Sequence, residues 1–150
     1  MVESKDAMQY ALRLLGYRQR SVHEMSYRLK EKDYPVEAVD DVIARLKDWG
    51  YLNDLRFAED WIQYRLATKP MGPLLLEVEL KDKGIAKDII DAKLAEAFSQ
   101  VSEFELACNL AKSKYKGESD WKKVAGMLHR RGFSFSVIDS VKVFLGVGFD

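Results

Sequence analysis

A spaced set of four residues occurs three times in this chain, and any fold must place the three sets alike. Met25, Leu29, Tyr34 and Val39 recur as Leu76, Leu80, Ile85 and Ile90, then as Val124, Leu128, Phe133 and Ile138. The offsets are 51 and 48 residues, and the internal spacings of four, five and five do not change. A step of four keeps two side chains on one helix face, while the steps of five carry the chain through a turn into the next helix. That turn is charged each time: Lys30-Glu31-Lys32-Asp33, Lys81-Asp82-Lys83-Gly84 and His129-Arg130-Arg131-Gly132. Ahead of each set, Ala11, Ile62 and Leu110 fall at one matching place in a preceding helix. The repeat predicts three units, over residues 1–53, 54–100 and 101–150, each of three helices. The helices are expected at about 4–15, 21–32 and 35–49, then 54–68, 73–83 and 86–98, then 103–115, 120–131 and 135–145. Three short helices bury an apolar stripe by packing as a bundle, and tandem units stack on their neighbours. The expected fold is all-α, with three tandem three-helix repeats in an elongated, curved array.

Local signals agree with helix throughout. Val39, Val42, Ile43, Leu46 and Trp49 form one stripe between Pro35, suited to a first turn, and Gly50, suited to the left-handed residue that ends a helix. Ser21-Val22-His23-Glu24 and Ser102-Glu103-Phe104-Glu105 both fit the capping box, and Asp54 and Ser119 fit N-caps. Trp49, Trp61, Trp121, Phe57, Phe98 and Phe133 lie on apolar stripes and are expected in cores. Tyr17, Tyr64 and Tyr115 lie near basic residues, where packing is the default and base stacking the alternative.

Catalysis finds little to use. His23 and His129 are the only histidines, far apart and without metal-ligand spacing. Cys108 is the only cysteine, which excludes an internal disulfide and a cysteine-rich zinc module, and its place beside Ala107 and Ala111 suits a buried thiol. Asp40, Asp41 and Asp48 belong to a solvated helix face, and Gly146-Val147-Gly148 has no strand before it and no helix after it. No catalytic residue, cofactor or metal is expected. With 47% hydrophobic and 32% charged residues, no long apolar run and acids near the start, the chain reads as a cytoplasmic protein without a membrane contact.

Charge is balanced in total but not in place. The 24 basic and 24 acidic residues cancel, which argues against coating nucleic acid by bulk charge. Residues 13–32, however, hold six cations (Arg13, Arg18, Arg20, Arg28, Lys30, Lys32) against two acids. Residues 112–131 hold seven (Lys112, Lys114, Lys116, Lys122, Lys123, Arg130, Arg131) against two. The middle unit is slightly acidic, with 7 basic and 9 acidic residues over 54–100. Solvated helix faces account for single lysines; two dense stretches suit phosphate contact. Helix 120–131 offers lysine and arginine rather than a base-reading set, so any DNA contact should be sequence-tolerant.

The join between the first two units is the most distinctive segment: Gly50-Tyr51-Leu52-Asn53-Asp54-Leu55-Arg56-Phe57-Ala58. Glycine ends one helix, Tyr51 and Leu52 plug the joint, Asp54 caps the next helix, and Phe57-Ala58 begin its buried face. Here the chain resembles the RecX family, bacterial regulators of the recombinase RecA, marked by a G-Y-L-[DN]-D-x-x-F-A segment. Arg18-Gln19-Arg20-Ser21 with Glu24-Met25, Gly72-Pro73 leading to Glu79-Leu80-Lys81-Asp82-Lys83-Gly84-Ile85, and Arg130-Arg131-Gly132-Phe133 fit the same family. The resemblance covers nearly the whole chain. It departs at Asn53, where aspartate is more usual. It also departs at Leu74 and Leu75, where members often carry basic residues, which leaves Arg65, Lys69, Lys81 and Lys83 as the middle unit's candidates.

The resemblance implies a non-enzymatic modulator, most simply an inhibitor, that binds the RecA–DNA filament along its groove. It would limit recombinase, ATPase and coprotease activity in DNA repair, homologous recombination and the SOS response. Its partners would be the RecA filament and, weakly and salt-sensitively, single- and double-stranded DNA, with the protein a monomer. The residues expected at that interface are Arg18, Arg20, Arg28, Arg65, Lys81, Lys83, Lys112, Lys114, Lys122, Lys123, Arg130 and Arg131. An autonomous DNA-binding helical protein and a pure protein-interaction scaffold remain the alternatives.

Overall fold

A computed structural model describes residues 2–148, and every regular element in them is helical. The first unit holds α1 (Val2–Tyr17), α2 (Val22–Glu31) and α3 (Val36–Asp48). The second holds α4 (Asp54–Thr68), α5 (Pro73–Asp82) and α6 (Lys87–Gln100). In the third, α7 (Glu103–Lys114) leads through a 3₁₀ turn (Glu118–Asp120) to α8 (Trp121–Arg130) and α9 (Phe135–Phe144). Each unit closes on its own core. The first is built from Ala7, Ala11, Leu14, Met25, Leu29, Val39, Val42, Leu46 and Leu52. The second gathers Phe57, Ala58, Ile62, Met71, Leu76, Leu80, Ile85, Ile90 and Leu94, and the third Ala107, Cys108, Ala111, Val124, Leu128, Phe133, Ile138 and Val141. All six residues of the first two anchor positions are buried, from Met25 and Leu29 to Val124 and Leu128. The chain is thus an all-α repeat fold.

Several local expectations need correction. Leu110 is only half-buried, and Ala111 takes the core position that Ala11 and Ile62 hold. The cause is the connection: α7 stops at Lys114 and the 3₁₀ turn feeds α8, so the register slips by one. Ser119 lies in that turn and caps nothing; Asp120 precedes α8 without a side-chain cap. Trp49 and Tyr51 are exposed, edge to face at 6.2 Å. The helix ends before Trp49, Gly50 turns the chain at φ 80°, and Leu52 folds back to close the core instead. Asn53, not Asp54, caps α4, accepting from the Arg56 N–H at 3.2 Å. Tyr17 and Tyr64 are exposed, Tyr64 with its ring tilted against Trp61 at 6.4 Å, while Trp61, Phe98, Tyr115 and Trp121 are half-buried. Ser21 and Glu24 form the complete capping box, whereas Ser102 makes the forward bond to the Glu105 N–H at 3.1 Å.

The units meet at two equivalent joints. At the first, the Ser21 hydroxyl donates to the Lys83 carbonyl at 2.6 Å. At the second, 51 and 48 residues on, the Gly72 N–H donates to the Arg131 carbonyl at 2.8 Å, and the Leu74 N–H to the Gly132 carbonyl at 3.1 Å. In both, the turn after a unit's second helix rests on the start of the preceding unit's second helix. Gly84 (φ 77°) and Gly132 (φ 87°) sit in these turns. A Cβ on Gly84 would run into the His23 side chain, and one on Gly132 into Leu75. In the first unit the equivalent turn residue is Asp33, at φ 65°. Asp33 is exposed there, and aspartate tolerates the left-handed region better than most side chains.

Candidate nucleic-acid interface

Three local devices surround the first joint, two of them holding cations. Glu24 accepts from the Ser21 N–H at 3.1 Å, from Arg18 at 2.7 and 3.3 Å, and from Lys83 of the second unit at 3.1 Å. Burial would raise the Glu24 carboxyl, but Arg18, the Ser21 N–H and Lys83 outweigh it and hold its pKa at about 2. Asp54 accepts from the Val22 N–H at 2.9 Å, fixing α4 to the start of α2. Arg65 donates to Glu79 at 3.0 Å, Trp61 donates to the same oxygen, and Arg65 and Lys83 each lie 4.9 Å from the Trp61 ring. At the second joint Arg131 donates to the Pro70 carbonyl at 3.0 Å.

The twelve interface candidates therefore fall into three kinds. Arg18, Arg65, Lys83 and Arg131 are engaged in or beside the joints, and Lys81 pairs with Glu77 on its own helix at 3.0 Å. Arg18, Arg20 and Arg28 come together around one pocket on the first unit, with His23, Glu24, Tyr27 and Asp82. Arg28 also donates to the Tyr10 hydroxyl at 3.3 Å, and Arg20 is buried at 8% exposure.

The third unit carries the open cations. Lys114, Lys122, Lys123 and Arg130 are exposed and have no ion-pair partner among the described residues, and Lys112 stands 5.0 Å over the Phe144 ring. Lys114 and Lys123 line one groove with Asp120, Val124 and Met127, between α7 and α8. Val124 and Leu128 turn one side of α8 inward, which leaves Lys123, Gly126 and Arg130 in line on the other side. The Arg130 guanidinium lies back across Gly126, where a Cβ would come within 3.2 Å of it.

Sequence reasoning missed Tyr27, which lines the arginine pocket from the exposed side of α2, and Asp54 as a clamp. Neither carries a pattern; only the folded joint brings them into place. Cys108 is buried and its thiol is raised by burial, which suits packing. Among the described residues no cluster of three metal-ligating side chains occurs, and no helix is long and apolar enough to cross a membrane.

Known proteins place this geometry. The first three-helix domain of RecX matches residues 7–46, and the second three-helix domain of RecX matches residues 53–94. The regulatory protein RecX of Bacillus pumilus (strain SAFR-032) is 36% identical over 145 residues, covering 90% of this chain and 53% of the relative. That of Pelodictyon phaeoclathratiforme (strain DSM 5477 / BU-1) is 36% identical over 137 residues, covering 89% and 85%. The chain thus spans about half the length of the Bacillus relative. A crystal structure of regulatory protein RecX superposes with a TM-score of 0.79 at 27% identity, over 94% of this chain and 72% of that one. The fold is also that of RecX from Lactobacillus salivarius, with a TM-score of 0.85 at 23% identity over 97% and 98%. With the two joined units matched in order and a relative of nearly equal length sharing a third of its residues, the chain belongs to the RecX family.

Proposed function

We propose that this protein binds the RecA–DNA filament and limits its recombinase, ATPase and coprotease activities without catalysing a reaction itself. Membership in a family named for regulation supports this reading. The observation that carries the nucleic-acid part is the third unit's set of exposed cations, Lys114, Lys122, Lys123 and Arg130, none of which makes an ion pair among the described residues. A second basic place stands on the first unit, at Arg18, Arg20 and Arg28, with the slightly acidic second unit between. Two weak contacts on one jointed body raise each other's effective concentration, which suits a long filament better than a small ligand. The contact is phosphate-directed and sequence-tolerant, and the protein acts as a cytoplasmic monomer.

The test is the DNA-dependent ATPase of RecA, titrated with this protein at fixed salt. A fall in ATPase that saturates with protein is expected. No change over a full titration would remove RecA as the target. Retained affinity for DNA in that case would leave an autonomous DNA binder, and no affinity for either would leave a protein-interaction scaffold.

A further inference from the structure

The pocket on the first unit holds two arginine Nε–H donors that no hydrogen bond uses among the described residues. It measures about 300 Å³ and is lined by Arg18, Arg20, His23, Glu24, Tyr27, Arg28 and Asp82. The Nε–H groups of both Arg20 and Arg28 are buried without a hydrogen-bond acceptor among the described residues; the Arg28 Nε has an ion-pair partner, Glu31, at 3.8 Å, and Arg20 has none. Arg20 is more than nine-tenths buried and has no ion-pair partner among them. Glu24 cannot serve it, because both Glu24 oxygens are taken by Ser21, Arg18 and Lys83. Asp82 lies exposed on the wall supplied by the second unit. A buried N–H left without an acceptor is costly, and an anion in the pocket would relieve that cost.

We propose that this pocket binds one phosphate group of a single-stranded nucleic acid, gripped by Arg20 and Arg28, with the adjoining base against Tyr27. A carboxylate is saturated by one arginine fork, whereas a phosphate offers oxygens enough for donors converging from several arginines. Tyr27 is 60% exposed at the same pocket, which provides a face for a base and distinguishes a nucleotide from free phosphate. Burial first, then the like charges of Arg18 and Arg28, lower the pKa of Arg20 against the opposing pull of Glu24 and Tyr10. The inference rests on the nucleic-acid reading above for the source of the phosphate.

The test follows the arginine Nε–H resonances of the full ¹⁵N-labelled chain during titration with inorganic phosphate, with chloride at equal ionic strength as the reference. Arg20→Lys assigns the Arg20 signal. Saturable movement of that signal with phosphate and with oligothymidylate, but not with chloride, is expected. In anisotropy measurements Arg20→Gln should weaken oligothymidylate binding about tenfold or more and reduce the log–log salt slope by about 0.7. Tyr27→Ala should weaken the oligonucleotide while leaving phosphate unaffected. A signal unmoved by either anion overturns the pocket, and the measurement on the unaltered chain holds even if Arg20→Gln fails to fold. If the oligonucleotide binds while the Arg20 signal stays still, the pocket is wrong and the nucleic-acid reading survives. If phosphate moves the signal and no oligonucleotide binds, the assignment to nucleic acid falls.

Discussion

Asp33, Gly84 and Gly132 hold one place in three copies of a turn, and the difference between them is a neighbour. Their positive φ values are alike, but only the glycines have another unit pressed against the missing Cβ. Gly84→Ala and Gly132→Ala should each cost about 2 kcal/mol or more, combining left-handed strain with a forced shift at the joint. Asp33→Gly should be neutral or stabilising by up to about 1 kcal/mol, because it relieves the strain without touching a partner. Urea unfolding of the three variants checks both expectations, and equal losses at all three positions would contradict the joint.

Glu24 gives the same joint a pH signature. Its pKa lies near 2 when folded against an ordinary value of 4.5, so between those values the unfolded chain binds the extra proton. The stabilisation is complete above about pH 4.5 to 5 and is lost as pH falls towards 2. It amounts to about 2 kcal/mol once solvent screening is allowed for. Unfolding free energy of Glu24→Gln, compared with the unaltered chain from pH 2 to 7, should converge at the acid end and separate above pH 4.5.

At the scale of elements, the helices and cores were legible because their signals are local. The spacing of four and five located α2, α5 and α8 and their buried faces, and capping residues set most boundaries to within two residues. Leu80→Ala should cost about 2–5 kcal/mol, as a large-to-small change in a filled core. What the pattern could not reveal was the job of the recurrent charged turns. Charge at a helix end suits solvent or a phosphate equally well in sequence. Lys83 and Arg131 turn inward here only because another unit supplies Glu24 and the Pro70 carbonyl. Trp49 and Tyr51 misled for a related reason: the stripe continues past the helix end, but the chain turns at Gly50 and Leu52 fills the space. The cations of α8 face no such partner. Replacing Lys122, Lys123 and Arg130 together with alanine should reduce the log–log salt slope for DNA binding by roughly 2–3, with helicity unchanged. An unchanged slope would return these side chains to ordinary solvated surface.

For the whole molecule, the three cores are independent and the joints between them are narrow and polar. Such a body keeps its units in order while each folds around its own apolar set. Its two basic places stand on the outer units, and function on a filament requires both to engage. RecA-driven strand exchange tests that claim most directly. The titration compares the unaltered chain, Arg20→Gln with Arg28→Gln, and the triple alanine variant of α8, each confirmed as folded by circular dichroism. Saturable inhibition by the unaltered chain, and loss of most of it in either variant, are expected. Strand exchange unaffected by the unaltered chain, or inhibited at full strength by either folded variant, would contradict that claim.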